Sequence, residues 1–175
     1  MLTAIDRFDQ RVNERVERLR SPTLDRIFFS LSSAADHSLL WLILGTTRAL
    51  WKNDVRFAVR FAAAMGIESA LTNGPIKAVF DRRRPLADET APDPLPYGMH
   101  RPITSSFPSG HATAGFTAAM LLSQPGRRAP WFVVAAAVAS SRVYVRMHFA
   151  SDVIGGALVG LALGRLLRRW VNPDH

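Results

Sequence analysis

Gly155-Gly156-Ala157-Leu158-Val159-Gly160-Leu161-Ala162-Leu163-Gly164 is the stretch that decides the fold class. Gly156, Gly160 and Gly164 fall four apart and share one face of a helix. In water, each glycine inside a helix costs about 1 kcal/mol relative to alanine. In lipid the same spacing lets two helix backbones approach closely, which is how helices pack where no hydrophobic force separates them from solvent. The stretch is the last of five apolar segments, 28–47, 57–76, 112–123, 130–145 and 153–167. Arg60, Glu68 and Arg142 interrupt them, none is a clean run of about 18 apolar residues, and mean hydropathy is only +0.06. Hydropathy alone therefore leaves a soluble all-helical protein open. The glycine spacing favours the membrane.

Charge placement agrees. Arg48, Lys52 and Arg56 lie between the first two segments, Arg127 and Arg128 share a short turn, and Arg165, Arg168 and Arg169 follow the last segment. Consecutive crossings put all three clusters on one side, which the positive-inside rule makes cytoplasmic, and place the connection 77–108 on the opposite face. Five crossings start residues 1–27 outside, against the weight of six arginines there, although five acidic residues blunt that signal. No apolar core region marks a signal peptide near the start. Instead Leu2, Ile5, Phe8, Val12, Val16 and Leu19 make one stripe of a helix over 1–20. That stripe fits equally a helix packed on a core and one lying in a membrane interface. Ser21-Pro22 then reads as an N-cap and first-turn proline opening a new helix.

The chain has 175 residues, 48% hydrophobic and 21% charged, the size of one domain. It has no cysteine, which excludes disulfides, thiolate metal sites and a cysteine nucleophile. The formal charge is +8, and all but two of its 22 cations are arginines, the exceptions being Lys52 and Lys77. These cations sit at helix ends and turns with no aromatic-interleaved face, so nucleic-acid binding is not expected. The proline-rich stretch 91–102 reads as a loop, not a domain boundary.

Three polar clusters interrupt this apolar chain. The first, Lys77-Ala78-Val79-Phe80-Asp81-Arg82-Arg83-Arg84-Pro85, places Lys77 and Arg84 seven apart, two turns along if the helix persists, although Pro85 disfavours helix at Arg84. It also fits a basic helix end. The second, Phe107-Pro108-Ser109-Gly110-His111, turns backbone N–H groups at a helix start toward an anion, with His111 in the first turn. The third runs from Ser141 through Arg142 to His148 and Asp152. His148 and Asp152 are four apart, so a helix would set the carboxylate against the imidazole, and Arg142 offers a planar fork to phosphate oxygens.

Together, Lys-x6-Arg-Pro, Pro-Ser-Gly-His and Ser-Arg-x5-His-x3-Asp resemble the signature of the type 2 phosphatidic acid phosphatase (PAP2) superfamily, over 77–152 and with no departure at a signature position. The flanking helices resemble those of its small bacterial membrane members. The resemblance implies an all-α integral membrane bundle of about five transmembrane helices plus an N-terminal amphipathic helix, a single domain over 1–175. It implies a multi-pass protein of the inner (plasma) membrane with its active site on the extracytoplasmic face. His148 would be the nucleophile forming a phosphohistidine, Asp152 its orienting carboxylate, and His111 the acid and then the base. Lys77, Arg84, Arg142 and the Ser109–Gly110 turn would hold the phosphate oxygens. No cofactor or metal is implied, vanadate should inhibit, and a neutral His148 with a protonated His111 gives a bell-shaped pH dependence.

The implied substrate is a membrane lipid phosphate or diphosphate: a polyprenyl phosphate or diphosphate, phosphatidate, or phosphatidylglycerol phosphate, with the isoprenoid carriers favoured. A soluble acid phosphatase or haloperoxidase, and a noncatalytic membrane scaffold, are the alternatives. Outside the signature, Asp36-His37 reads as a cap or a vestibule pair, and Glu68 and Arg60 as structural or functional ionisable groups in a crossing. Tyr144 and Arg146 read as entrance residues, and Trp41, Trp51, Trp131 and Trp170 as interfacial anchors.

Overall fold

The computed structural model describes residues 2–85, 104–124, 126 and 128–173. The proline-rich stretch 91–102, Arg127 and the side chain of His37 lie outside the described residues. Among the described residues there are seven α-helices: α1 (Ala4–Arg18), α2 (Pro22–Ala34), α3 (Leu39–Lys52), α4 (Val55–Leu71), α5 (Gly110–Leu122), α6 (Ala129–Tyr144) and α7 (Ala150–Val171). Their ends follow local chemistry. Thr3 and Asp6 form a capping box on α1, Ser21 Oγ accepts from Leu24 N with Pro22 in the first turn of α2, and Asp54 accepts from Phe57 N at the start of α4.

The glycine face on α7 packs as its spacing requires. A Cβ on Gly156 would lie 2.6 Å from the Ser109 carbonyl oxygen, and one on Gly164 2.6 Å from Met120 Cβ. One on Gly160 would run into the Thr113 carbonyl oxygen. Thr117 Oγ1 donates to the Gly160 carbonyl at 3.1 Å across the same seam. The partner, α5, is the central helix, with Ala112, Ala118, Ala119, Leu121 and Leu122 sealed from solvent. Around it, α3, α4, α6 and α7 turn Ile43, Val59, Ile67, Val133, Leu158 and Leu166 outward, while Glu68, Arg142 and Asp152 are buried inside. Apolar residues outside and ionisable ones inside suit lipid, not water. Among the described residues α7 is the one helix long and apolar enough by itself to cross a membrane, and α2 with α3 passes the same test as a bent pair.

The bundle has two distinct ends. The C-terminal ends of α3, α5 and α7 meet where Arg48 Nη2 reaches Asn172 Oδ1 at 3.5 Å and Asn172 Nδ2 donates to the Leu121 carbonyl at 2.9 Å. At the other end, Ser109 N donates to the Asp152 carbonyl at 3.1 Å, joining the starts of α5 and α7.

Two expectations are corrected. The segment 28–47 is not one helix: a 3-10 turn, Asp36–Ser38, divides it, and α2 packs over the far end of α6 through the stacked Phe28 and Tyr144. Trp41 is no interfacial anchor but a fully buried core residue, and Trp131 is half-buried against that core, whereas Trp51 and Trp170 are exposed. On α1 the apolar stripe is divided: Val12 and Val16 are half-buried, while Ile5, Phe8 and Leu19 are exposed and Asp9 is buried.

Candidate active site

His148 sits in the turn between α6 and α7, where Met147 N and His148 N both donate to the Arg142 carbonyl (3.0 and 3.2 Å) and Arg146 takes a left-handed φ of 58°. The ring is buried. Its Nδ1 lies 2.7 Å from the Ser106 carbonyl oxygen, which can only accept, so Nδ1 carries the proton. Its Nε2 lies 3.1 Å from Arg84 Nη1, which can only donate, so Nε2 presents its lone pair. Burial, with Arg84 and Arg142 adding, pushes this imidazole down to about 3.

Asp152 stands behind the ring but does not hydrogen-bond to it. His148 precedes the helix, so the four-residue spacing leaves Asp152 Oδ2 3.8 Å from Nδ1, within ion-pair range only. Ser106 links the two, its carbonyl held by His148 and its hydroxyl donated to Asp152 Oδ2. Phe149 N also donates to Asp152 Oδ2 at 2.8 Å, and Arg82 Nη1 to Oδ1 at 2.5 Å.

The helix leading to Lys77 does not persist to Arg84. It closes in a π-turn, Thr72–Ile76, containing Pro75. Lys77 and Arg84 meet at Thr104 nonetheless, Lys77 Nζ donating to its Oγ1 at 3.5 Å and Arg84 Nη2 to its carbonyl at 3.3 Å. Lys77 Nζ donates to Asn73 Oδ1 at 3.0 Å and would lie 3.9 Å from a Cβ on Gly110. Burial, then Arg84 and Arg142, lower its ammonium to about 8. Arg84 Nη1 donates to the Met147 carbonyl at 2.8 Å, and burial lowers this guanidinium too. Arg142 is buried and donates to Ser32 Oγ. Among the described residues Arg84 Nε, Arg142 Nε and Ser109 Oγ are buried without a hydrogen-bond partner. Two guanidinium N–H groups and a hydroxyl at one end of a bundle make a donor set suited to an anion rich in oxygen.

His111 Nε2 lies 3.0 Å from Asp36 Oδ1 and 3.3 Å from the Ser32 carbonyl. Asp36 thus faces His111 and is not merely a cap. No group of three or more His, Asp or Glu among the described residues is arranged to hold a metal ion.

The structure brings Lys77, Arg84, Ser109, Gly110, His111, Arg142, His148 and Asp152 to the same end of the bundle. Tyr144 and Arg146 do not line it: Tyr144 is buried and donates to Asp25 Oδ1 at 2.7 Å, and Arg146 pairs with Glu17 at 3.5 Å. Glu68 accepts from Thr72 Oγ1 at 3.0 Å, at the start of the π-turn that follows its helix. Ser32, Ser106, Arg82 and Asp9 escape a reading by motif. Asp9 had a signal, an acid on the apolar stripe of α1 between Ile5 and Val12.

Against known proteins, residues 57–175 match the model of the PAP2 superfamily. The chain is 42% identical over 85 residues to a lipid A 1-phosphatase of Porphyromonas gingivalis, covering 43% of this chain and only 19% of that protein's length. It is 34% identical over 131 residues to a decaprenylphosphoryl-5-phosphoribose phosphatase of Mycolicibacterium smegmatis, covering 73% of this chain and 68% of the relative. Its fold superposes on a transmembrane PAP2-type phosphatidylglycerolphosphate phosphatase from Bacillus subtilis with a TM-score of 0.75 at 23% identity, over 99% of this chain and 89% of that one. The all-helical membrane fold, the clustered signature and the family match agree: the chain belongs to the PAP2 superfamily and is an enzyme of the phosphatase class.

Proposed function

We propose that the protein is a metal-independent lipid phosphatase working through a phosphohistidine on His148. The observation that carries this reading is the orientation of His148, with Nδ1–H on the Ser106 carbonyl and an unprotonated Nε2 whose lone pair faces Arg84. Nε2 attacks phosphorus while the bond to the lipid oxygen breaks, and that oxygen takes a proton from His111. Because Asp36 and the Ser32 carbonyl engage Nε2 of His111, the transferred proton is carried on Nδ1. His111 then accepts a proton from water as water attacks phosphorus, releasing phosphate and freeing His148. Lys77, Arg84 and Arg142 hold the oxygens on which transition-state charge is spread.

Five crossings, α3 to α7, put the basic ends of α3 and α7 in the cytoplasm and the site at the extracytoplasmic interface of the plasma membrane. A lipid tail leaves sideways into the bilayer from that level. The isoprenoid carrier phosphates are the preferred substrates, a reading supported by the decaprenylphosphoryl relative.

A phosphate-release assay of detergent-purified protein tests this, over polyprenyl phosphate, polyprenyl diphosphate, phosphatidate and phosphatidylglycerol phosphate. Release from an isoprenoid substrate, inhibited by vanadate and indifferent to EDTA, is expected. EDTA-sensitive release, or none from any lipid, would overturn the reading. Replacing Arg142 with Gln should lower kcat/KM by about 10²–10³, as loss of one oxyanion donor does elsewhere.

The pH profile has a worked sign. With His148 lowered to about 3, it stays neutral through the ordinary range, so the acid limb lies near that value. On the alkaline side His111 loses its proton, and Lys77 loses its charge as pH rises through about 8. The slope of log kcat/KM against pH should approach about −2 above that value, and about −1 in Lys77→Arg, whose guanidinium stays charged.

A further inference from the structure

We propose that Asp9, on the N-terminal helix, is a positioning residue for phosphoryl transfer, acting through Arg82 on Asp152. This rests on the assignment of His148 and Asp152 above. Asp9 is buried, although the helix that carries it is largely exposed. Its Oδ2 accepts from Arg82 Nη2 at 2.7 Å and from Ser151 Oγ at 2.6 Å, and its Oδ1 accepts from Ser151 N at 2.9 Å. Ser151 is in the first turn of α7, so Asp9 caps the helix that carries Asp152, from a distant part of the chain. Arg82 bridges the two carboxylates, Nη2 on Asp9 and Nη1 on Asp152 at 2.5 Å, and lies over the Phe149 ring at 4.7 Å. Its guanidinium is thereby locked in place.

The charge count gives this arrangement its purpose. Arg82 alone would neutralise Asp152 and leave little negative potential for the ring that becomes cationic when His148 is phosphorylated. Two carboxylates on one guanidinium leave the trio with a net charge of −1. Burial opposes the charged form of Arg82, yet the hydrogen bonds and charges of Asp9 and Asp152 outweigh it. Asp9 therefore keeps Arg82 from cancelling the carboxylate that it orients. The N-terminal amphipathic helix becomes part of the catalytic end, on the same side of the bundle as the signature residues.

The test is a double-mutant cycle on detergent-purified full-length protein. Asp9→Asn should lower kcat about 10- to 100-fold with KM within about twofold, in line with losses seen when a buried partner of a reactive ligand is removed. Because Asp9 acts through Asp152, Asp9→Asn/Asp152→Asn should be no slower than Asp152→Asn alone, within about twofold. Multiplying losses, or an unchanged kcat in Asp9→Asn, would overturn the proposal. If Asp9→Asn does not survive purification, Arg82→Lys, which keeps the charge and loses the fork, goes through the same cycle with the same two outcomes. A wild-type kcat in Asp152→Asn would instead sink the underlying assignment.

Discussion

His148→Ala, purified in the same detergent as the wild type, should release phosphate at least about 10⁴-fold more slowly, the scale on which removing a nucleophile acts in covalent catalysis. The substitution deletes the atom proposed to attack; of its described neighbours, Arg84 is a cation and Ser106 donates its hydroxyl to Asp152. The surroundings should hold their shape, because Asp152 stays tied to Ser106, Phe149 N and Arg82, and Arg84 keeps its bond to the Met147 carbonyl. The elution profile and helical circular dichroism should match wild type while phosphate release disappears. Acid-labile labelling of the wild type by substrate phosphate, absent from the variant, would locate the intermediate. Near-wild-type turnover in a well-folded His148→Ala would refute the mechanism.

The second large effect concerns packing. Gly160→Val should destabilise the protein by about 3 kcal/mol or more, at or above the upper part of the range for overpacking. A side chain there meets the Thr113 carbonyl and Phe116 Cβ at 3.1 Å, and backbone atoms of a central helix cannot swing aside as a flexible side chain can. Relief requires α7 to move away from α5. These helices carry Asp152 on one side and Ser109, Gly110 and His111 on the other, so activity should fall with stability. Gly66→Ala is the control: nothing lies within 4 Å of a Cβ on this exposed glycine of α4, and helix propensity favours alanine by about 1 kcal/mol. Thermal unfolding in detergent should separate the two, with Gly160→Val melting well below wild type and Gly66→Ala at or above it. Equal melting temperatures would mean that the seam between α5 and α7 is not as close as described.

Much of this architecture is legible in residue order. The apolar segments 57–76, 112–123, 130–145 and 153–167 foreshadow α4 to α7, because apolar runs and the Pro108-Ser109-Gly110 helix start are local properties. Ser21-Pro22 opens α2 as its cap chemistry requires. The break at Asp36–Ser38 is only half legible: Asp36-His37 reads as a cap, but neither glycine nor proline marks a turn there and the apolar segment runs on across it. Trp41 misleads for a related reason: a tryptophan near the start of an apolar segment has the same local pattern whether it faces the interface or fills the space beside Gly115, where a Cβ would lie 3.2 Å from its ring.

Residue order by itself determined helices α4 to α7, the close seam of the Gly156–Gly160–Gly164 face, and which side chains are proposed to meet phosphate, because each depends on spacing or on residue chemistry. Tertiary structure alone decided how those side chains are held. The Ser106 carbonyl, not Asp152, accepts the hydrogen bond from His148 Nδ1–H, Asp36 engages His111, and Asp9 reaches Arg82 across 73 positions of the chain. Hydrogen bonds act over about 3 Å of space and are indifferent to separation along the chain. Partners brought together only by helix packing therefore leave no periodic trace in the order of residues.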